Sequence, residues 1–445
     1  TLGPDGLDVM LVDEFGSSFC TNDGVAILNS LQIKNPIAKY VKDAALAQEE
    51  KVGDGTTSVC VMLEAMLKKS IEKLKIEGTS AVQLAKEIQN AKGIIIDAIN
   101  KNSRKIESLE DSQLFFASRI ASRNDETISK FVTELYRTCF RNHVGDFFDL
   151  SNHIYGYKNR EEKIVEGLLL KKKAHLNSKS KISNGNLLLI KGSFEPQPIS
   201  SEAASTDEGV RKFSNNIQEV LEVCKKIKRK NIEAIFCSGS IFQQAEEFLI
   251  KEGVFVISHL SESQFNNIQK LSKAKAVTRS ELFEQDQNFF LDKVGDFKSI
   301  SWDENLKAFL ISGPRFNFNT LIVSQNTQTL LEERIRVTED SAKVFYATFK
   351  EGFSEGGGIA EILALKDFQE QNPSSPILDL MEAGLSSVFK QIKANSNYHE
   401  SFQELRQKYR EAQVIDSTLV KKSIIDISFD LCAQIIKIKT IVSAK

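Results

Sequence analysis

Six consecutive residues, Gly53-Asp54-Gly55-Thr56-Thr57-Ser58, put two glycines, one carboxylate and three hydroxyls between segments of helical patterning. Glycine allows positive φ and lets a backbone approach a ligand closely. The N-terminus of a following helix offers unpaired N–H groups and a partial positive charge, which suit phosphate. Thr56, Thr57 and Ser58 add hydroxyl donors at the same place. An aspartate here repels phosphate unless a cation lies between them, so Asp54 reads as a magnesium ligand. Magnesium is commonly held by one or two carboxylates together with phosphate oxygens and water. The plain alternative is a glycine-rich turn capped by Asp or Thr.

Other glycine turns accompany it. Leu2-Gly3-Pro4-Asp5-Gly6 is a tight turn near the start, and Asn22-Asp23-Gly24 lies between strand-like flanks, where it reads on its own as a hairpin turn. Gly356-Gly357-Gly358 opens the helical run IAEILALK. A triple glycine is costly in chain entropy, and close approach by a ligand is a reasonable explanation for it. The chain has no GxxxxGK[ST] sequence, so a nucleotide site here is not a P-loop.

These residues need elements to position them, and 445 residues are too many for one ordinary core, so two or three domains are expected. Asn35-Pro36 opens an amphipathic run with apolar Ile37, Tyr40, Val41, Ala44 and Ala45 ahead of the six residues, and Val59 to Leu67 behind them is almost wholly apolar. Residues 1–105 begin with strand-like MLVDEF and SFCTNDGVAIL and then turn helical, with a capping signal at Thr79-Ser80. Residues 106–165 are mixed and include the helical DETISKFVTELYRTCF. From residue 166 strands alternate with helices: VEGLLLKK, GNLLLIKG, NIEAIFCSG, GVFVISH and FNTLIVSQNT are strand candidates. FQQAEEFLIKE between NIEAIFCSG and GVFVISH makes a strand–helix–strand unit. Residues 198–215 are polar and read as an exposed loop or arm. From Asp340 the pattern is helical again, and the last long helix follows Asp416-Ser417. Helical ends around an α/β middle imply one discontinuous helical domain with others inserted into it.

Composition narrows the classes. A net charge of −2 gives no global field for nucleic acid or acidic membranes, and no apolar run has the length of a membrane span. The basic cluster Lys225, Lys226, Lys228, Arg229 and Lys230 reads as a solvated helix end in preference to a nucleic-acid or nuclear-localisation patch. The six cysteines are scattered without a CxxC pair and the five histidines without an HxxxH pair, as in reduced thiols of a cytosolic protein and unlike a zinc site. The chain opens at Thr1 without an initiator methionine, as a processed or trimmed start does, which leaves a removed targeting segment open.

Taken in order, LGPDGLDVMLVDEFG, TNDGVAIL, NPIAKYVKDAALAQEEKVGDGTTSV and EGGGIAE resemble the ATP-binding signatures of group II chaperonins, the family of the eukaryotic cytosolic chaperonin (CCT, or TRiC) and the archaeal thermosome. The likeness is strong over residues 2–75 and 334–360, recognisable over 410–445 and thin between. It implies a multidomain α and α/β chain of the chaperonin fold. A mostly helical, discontinuous equatorial domain takes residues 1–105 and 355–445, a small intermediate hinge domain 106–165 and 318–354, and an α/β apical domain 166–317. It also implies Mg-ATP hydrolysis, with potassium as a candidate second cation, in the cytoplasm. The partners implied are paralogous subunits in a stacked double ring, eight per ring, and unfolded client proteins.

Site roles follow from the resemblance where motifs match. Gly3 and Pro4 line the phosphate pocket, Asp54 binds magnesium, and Gly53, Gly55, Thr56, Thr57 and Ser58 cradle phosphates. Asp23 helps to order the attacking water or the metal shell, Gly357 contacts the nucleoside, and Asp416 approaches the ribose or base. The family's general-base aspartate lies sixteen residues before the triple glycine, which gives Asp340. Read without that register, Asp340 is an N-cap before SAKVFYATF. The chain departs from the family at Val25-Ala26, where NDGAT is usual, at ERIRVTEDSA in place of ERSLHDAL, and in a short region after GGGIAEI. Its ending, VIDSTLVKKSIIDISFDLCAQIIKIKTIVSAK, and the turn KGSFEPQPISSEA into the apical domain are similar to the theta branch, whereas its start is closer to the alpha and epsilon branches. Two other readings compete: a ring subunit that binds nucleotide but hydrolyses it weakly as a scaffold, and a stand-alone ATP-dependent kinase or ligase.

Overall fold

A computed structural model describes residues 1–12, 16, 18–141, 147–172, 181–201, 205–283, 291–313 and 318–440. The chain folds into two compact units: Thr1–Arg137 with Phe148–Ser151 and Glu332–Lys445, and Thr138–Phe147 with Asn152–Leu331.

The first unit begins with an antiparallel hairpin of β1 (Val9–Val12) and β2 (Ser18–Thr21). Six helices follow: α1 (Gly24–Ser30), α2 (Pro36–Val52), α3 (Thr56–Ile76), α4 (Ala81–Lys101), α5 (Ser112–Ala121) and α6 (Glu126–Phe140). Of these, α2 starts and stops where the residue types favour it. The Asn35 side chain accepts the Ile37 N–H at 2.9 Å with Pro36 in the first turn, and α2 stops at Gly53 in the left-handed region.

The second unit holds two sheets. One orders β3 (Ile154–Lys158), β12 (Asn319–Gln325) and β4 (Lys163–Glu166). The other runs β5 (Leu168–Leu170), β11 (Ala308–Ser312), β10 (Gly295–Asp303), β6 (Lys181–Lys191), β7 (Ile232–Cys237), β8 (Phe255–Ile257), with β9 (Val277–Thr278) also on β6. The β6–β7 and β7–β8 pairs are parallel and are joined by α7 (Asp207–Arg229) and α8 (Gln243–Lys251), so the strand–helix–strand reading holds. Apolar Val220, Val223, Cys224 and Ile227 of α7 pack with Leu188 and Ile190 of β6. The unit also contains α9 (Glu262–Ser272) and the short α10 (Arg279–Leu282).

The chain returns to the first unit along α11 (Gln328–Glu351), then β13 (Phe353–Glu355), α12 (Ile359–Gln371), α13 (Leu378–Leu385), α14 (Ser387–Asn395), α15 (Phe402–Glu411), β14 (Ile415–Ser417) and α16 (Thr418–Ile435). Its core joins both ends of the chain. Met62, Leu63 and Met66 of α3 and Ile88 and Ile95 of α4 pack with Ile425 and Phe429 of α16, all almost without exposure. On α4 the buried residues Leu84, Ile88, Ala91, Ile95 and Ile99 recur every three or four positions, one helical stripe facing that core. Among the described residues no helix is long and apolar enough to cross a membrane.

Three expectations change. Asn22-Asp23-Gly24 is no hairpin turn and VAIL no strand: the Asp23 carboxylate accepts the Ala26 N–H at 2.8 Å and caps α1. A short apolar run suits either state, and the cap decides it. Residues 207–215 of the expected arm form the first turns of α7, started by the Thr206 cap and acidic Asp207 and Glu208; residues 202–204 of that arm lie outside the described residues. Asp340 is not an N-cap but sits within α11.

Strands β13 and β14 pair Ser354 with Asp416, and Glu355 holds this junction. Arg406 donates to both of its carboxylate oxygens at 2.7 Å and Arg410 to one at 2.7 Å. Burial works against the Glu355 charge, but the two guanidinium groups outweigh it and hold the carboxyl down at about 2. Its contribution to stability is complete above the ordinary glutamate range and is lost as pH falls through about 2. Glu355→Gln is expected to lower the thermal midpoint at neutral pH and to flatten its acid dependence in that window. A midpoint and acid slope equal to those of the parent chain contradict this account.

Candidate functional site

The loop between α2 and α3 is set by packing from three sides. Gln48 is buried on α2, donates to the Asp54 carbonyl at 2.9 Å and accepts the Ser423 hydroxyl of α16 at 2.7 Å. Gly55 has φ of +92°, and a Cβ there falls 2.7 Å from Ile424 Cδ1. The glycine is therefore demanded by the protein's own packing as well as by any ligand. The same holds at Gly358, with φ of +81°, where a Cβ meets the Phe389 backbone nitrogen at 2.7 Å. These internal contacts account for part of the glycine content that close approach of a ligand was expected to explain.

Among the described residues no side chain caps α3, whose N-cap is Gly55, so the first turn carries the helix's partial positive charge without a side-chain cap. Gly53, Asp54, Gly55, Thr56, Thr57 and Ser58 all line one cavity of about 530 Å³, a size typical of small-ligand sites. Remote segments complete its wall. Gly3 and Pro4 come from the chain start, Asp23 from the cap of α1, Asp340 from α11, Gly357 from the triple glycine, and Asp416 from β14. Every residue given a site role from the sequence thus borders the same space. Tyr398, Lys408 and Tyr409 form another part of the lining, with the Lys408 ammonium 4.2 Å from the Tyr398 ring centre.

The cavity is rich in carboxylates. Asp54 is half-buried and accepts the Gly55 N–H at 2.6 Å. Burial, with the charges of Asp416 and Glu49, nevertheless pushes its carboxyl up to about 7. Burial and Glu49 push Asp340 higher still, to about 9, against the pull of Arg336 and Lys343. A carboxylate so loaded is relieved by a cation, which fits a divalent ion at Asp54. Among the described residues no three acidic, histidine or cysteine side chains gather to hold a metal on their own. The donor set fits magnesium, an ion that takes its remaining ligands from phosphate and water.

Among the described residues two cations offset the acids, a partly covered Arg336 and a buried Lys421, and neither is given a site role in the sequence. Arg336 Nη1 donates to Asp340 Oδ2 at 2.7 Å and lies 3.0 Å from Asp23 Oδ1 and 3.7 Å from Glu49 Oε1. Lys421 Nζ lies 2.8 Å from Glu361 Oε1 and 2.7 Å from Asp416 Oδ2. Burial opposes each positive charge, and the surrounding carboxylates outweigh it. Glu49 also accepts the Thr56 hydroxyl at 2.6 Å, so that hydroxyl is already engaged. The i, i+4 spacing of Arg336 and Asp340 is a readable signal once α11 is known to be one continuous helix. Glu49, Glu361 and Lys421 offer no such signal.

The lysine triad has a measurable consequence. Lys421→Met leaves the buried Glu361 and the partly exposed Asp416 without their counter-charge and is expected to cost about 3–5 kcal/mol. Adding Glu361→Leu to that variant is expected to recover part of the loss in thermal unfolding. Equal losses in the single and double variants speak against the triad.

A profile of the TCP-1/cpn60 chaperonin family matches residues 1–445. Thermosome subunit alpha of Methanothermobacter thermautotrophicus is 25% identical over 482 residues, covering 100% of this chain and 88% of the relative. The thermosome subunit of Pyrococcus horikoshii is 25% identical over 493 residues, with the same coverage of 100% and 88%. The crystal structure of a group III chaperonin in the open state superposes with a TM-score of 0.78 at 23% identity, over 99% of this chain and 95% of that one. The chain belongs to the TCP-1/cpn60 chaperonin family and has the chaperonin fold.

Proposed function

We propose that this chain is an ATP-hydrolysing subunit of a group II, stacked-ring chaperonin that encloses unfolded proteins. The observation that carries this reading is the convergence on one cavity of the uncapped N-terminus of α3, Asp54, Asp23 and Asp340, drawn from remote parts of the chain. Phosphoryl transfer to water needs positioning and charge neutralisation more than covalent help. The first-turn N–H groups of α3, with Thr57 and Ser58, bind phosphate, and Gly3 and Pro4 bound the same pocket. Asp54 holds magnesium, which neutralises phosphate charge when bound. Asp340 accepts the proton of the attacking water, with Asp23 orienting that water. Gly357 borders the nucleoside and Asp416, fixed by Lys421, the ribose or base.

The three-domain division inferred from the sequence belongs to this proposal, with equatorial residues 1–105 and 355–445, intermediate residues 106–165 and 318–354, and apical residues 166–317. So do the cytoplasmic location, the paralogous neighbours, the ring of eight and the use of potassium. The theta assignment within the eukaryotic cytosolic chaperonin rests on the C-terminal run and the turn KGSFEPQPISSEA alone. The relatives named above are archaeal thermosomes and favour no eukaryotic branch.

One observation favours the scaffold reading. Burial and the facing Glu49 raise the Asp340 carboxyl, and a carboxyl that keeps its proton is a poor base. The two readings separate by turnover. In the active reading, Asp340→Asn lowers phosphate release at saturating ATP by about 10²–10⁴-fold while nucleotide stays bound, and Asp54→Asn raises the magnesium requirement. Unchanged release in both variants, with nucleotide retained on the subunit, selects the scaffold. A native mass near that of a single chain overturns the ring.

The acid–base setting predicts a pH profile. Asp340 works only when ionised, so turnover rises with pH through a value above the ordinary aspartate range. Glu49→Gln removes a facing negative charge and leaves Arg336 and Lys343 in place, so the rise is expected to move to lower pH. A rise in the same place in both proteins excludes Glu49 as the cause.

A further inference from the structure

The four carboxylates around Arg336 do not bind it equally. Glu333 takes one edge of the guanidinium: Nε donates to Oε2 and Nη2 to Oε1, each at 3.1 Å. Glu333 is itself held by Arg123 at 2.8 Å. With that edge clamped, Nη1 is presented to Asp340 at 2.7 Å and Asp23 at 3.0 Å, with Glu49 farther off at 3.7 Å. Asp23 is also fixed from its other oxygen by the Ala26 N–H. Two carboxylates from remote parts of the chain are therefore tied to a single nitrogen. Their oxygens are no farther apart than two hydrogen bonds laid end to end, a span that one water bridges.

We propose that Arg336 is a positioning residue for ATP hydrolysis: it sets the separation of Asp23 and Asp340, so that together they hold the attacking water. This rests on the hydrolytic reading of the site. The role needs a planar fork. A guanidinium has five donors in fixed geometry and can be clamped along one edge while serving acids on the other, whereas a lysine ammonium is a point charge on a flexible stem. Charge alone does not suffice.

The test compares the assembled wild-type particle with Arg336→Ala, Arg336→Lys and Glu333→Gln, each first shown to assemble with the native mass. Expected are a kcat about 10- to 100-fold lower in both Arg336 variants with KM for ATP nearly unchanged, and a smaller loss in Glu333→Gln. Because Arg336 opposes the rise of the Asp340 carboxyl, the pH rise of turnover is expected to move upward in Arg336→Ala, opposite in direction to Glu49→Gln. Millimolar guanidinium is expected to restore part of the turnover of Arg336→Ala and none of Glu49→Gln, a rescue that a merely structural defect does not show. Full activity in Arg336→Lys, or a loss in Arg336→Ala with neither pH shift nor rescue, overturns the proposal and leaves the hydrolytic reading standing. A wild-type particle that binds ATP without hydrolysing it, or fails to bind it, overturns both. If an Arg336 variant does not assemble, Glu333→Gln decides alone: unchanged kcat and pH profile overturn the proposal.

Discussion

Residues 53–55 lie under helices that arrive from the other end of the chain. A Cβ on Gly53 falls 2.7 Å from the Lys343 Cβ of α11, and one on Gly55 meets Ile424 of α16. The buried Gln48 amide ties the loop to Ser423 from beneath. This three-way packing fixes where α3 begins, and with it the direction in which the first-turn N–H groups point. It also brings Asp340 and Asp416, carried on or next to those helices, to the wall of the same cavity. Larger residues at the two glycines separate the helices or twist the loop out of its left-handed conformation. Either change moves the helix end away from the acids it faces.

Electrostatics impose the second constraint. Asp23, Glu49, Asp54, Asp340 and Asp416 border one space, and such a concentration of like charge is not stable without compensation. Arg336 and Lys421 supply it from within the protein on two sides. Among the described residues Asp54 has no comparable partner: Lys421 reaches it only weakly, and the Gly55 N–H is its close contact. Close cationic partners thus face Asp23, Asp340 and Asp416, whereas Asp54, the proposed magnesium ligand, has none so near.

How much of this is legible in the sequence depends on whether the physics is local. The loop GDGTTS is readable because each residue type has a property that needs no partner: φ freedom, a charge, a hydroxyl. The parallel β7–α8–β8 unit is readable from periodicity. Asp340 is found only by its distance from the triple glycine. Its helix runs unbroken from Gln328, with Leu331, Val337 and Thr338 buried ahead of Asp340 as Ala342, Val344 and Phe345 are behind it, and that packing overrides the cap-like look of TED. The Asn22-Asp23-Gly24 turn fails as a hairpin because VAIL suits strand and helix equally and its cap sets the outcome. Arg336 and Lys421 are hidden for a different reason. An ion-pair network belongs to the meeting of segments, and no single segment displays it.

The discontinuity of the first unit bears on how the chain is made. Its N-terminal helices leave the ribosome long before α16, which fills the groove between α3 and α4 with Ile425 and Phe429. Until then the core around Met62, Met66, Ile88 and Ile95 is incomplete, and the growing chain displays an oily face. Contacts this distant in sequence form slowly and leave intermediates prone to aggregate. A protein built to shelter others in this condition passes through it during its own synthesis.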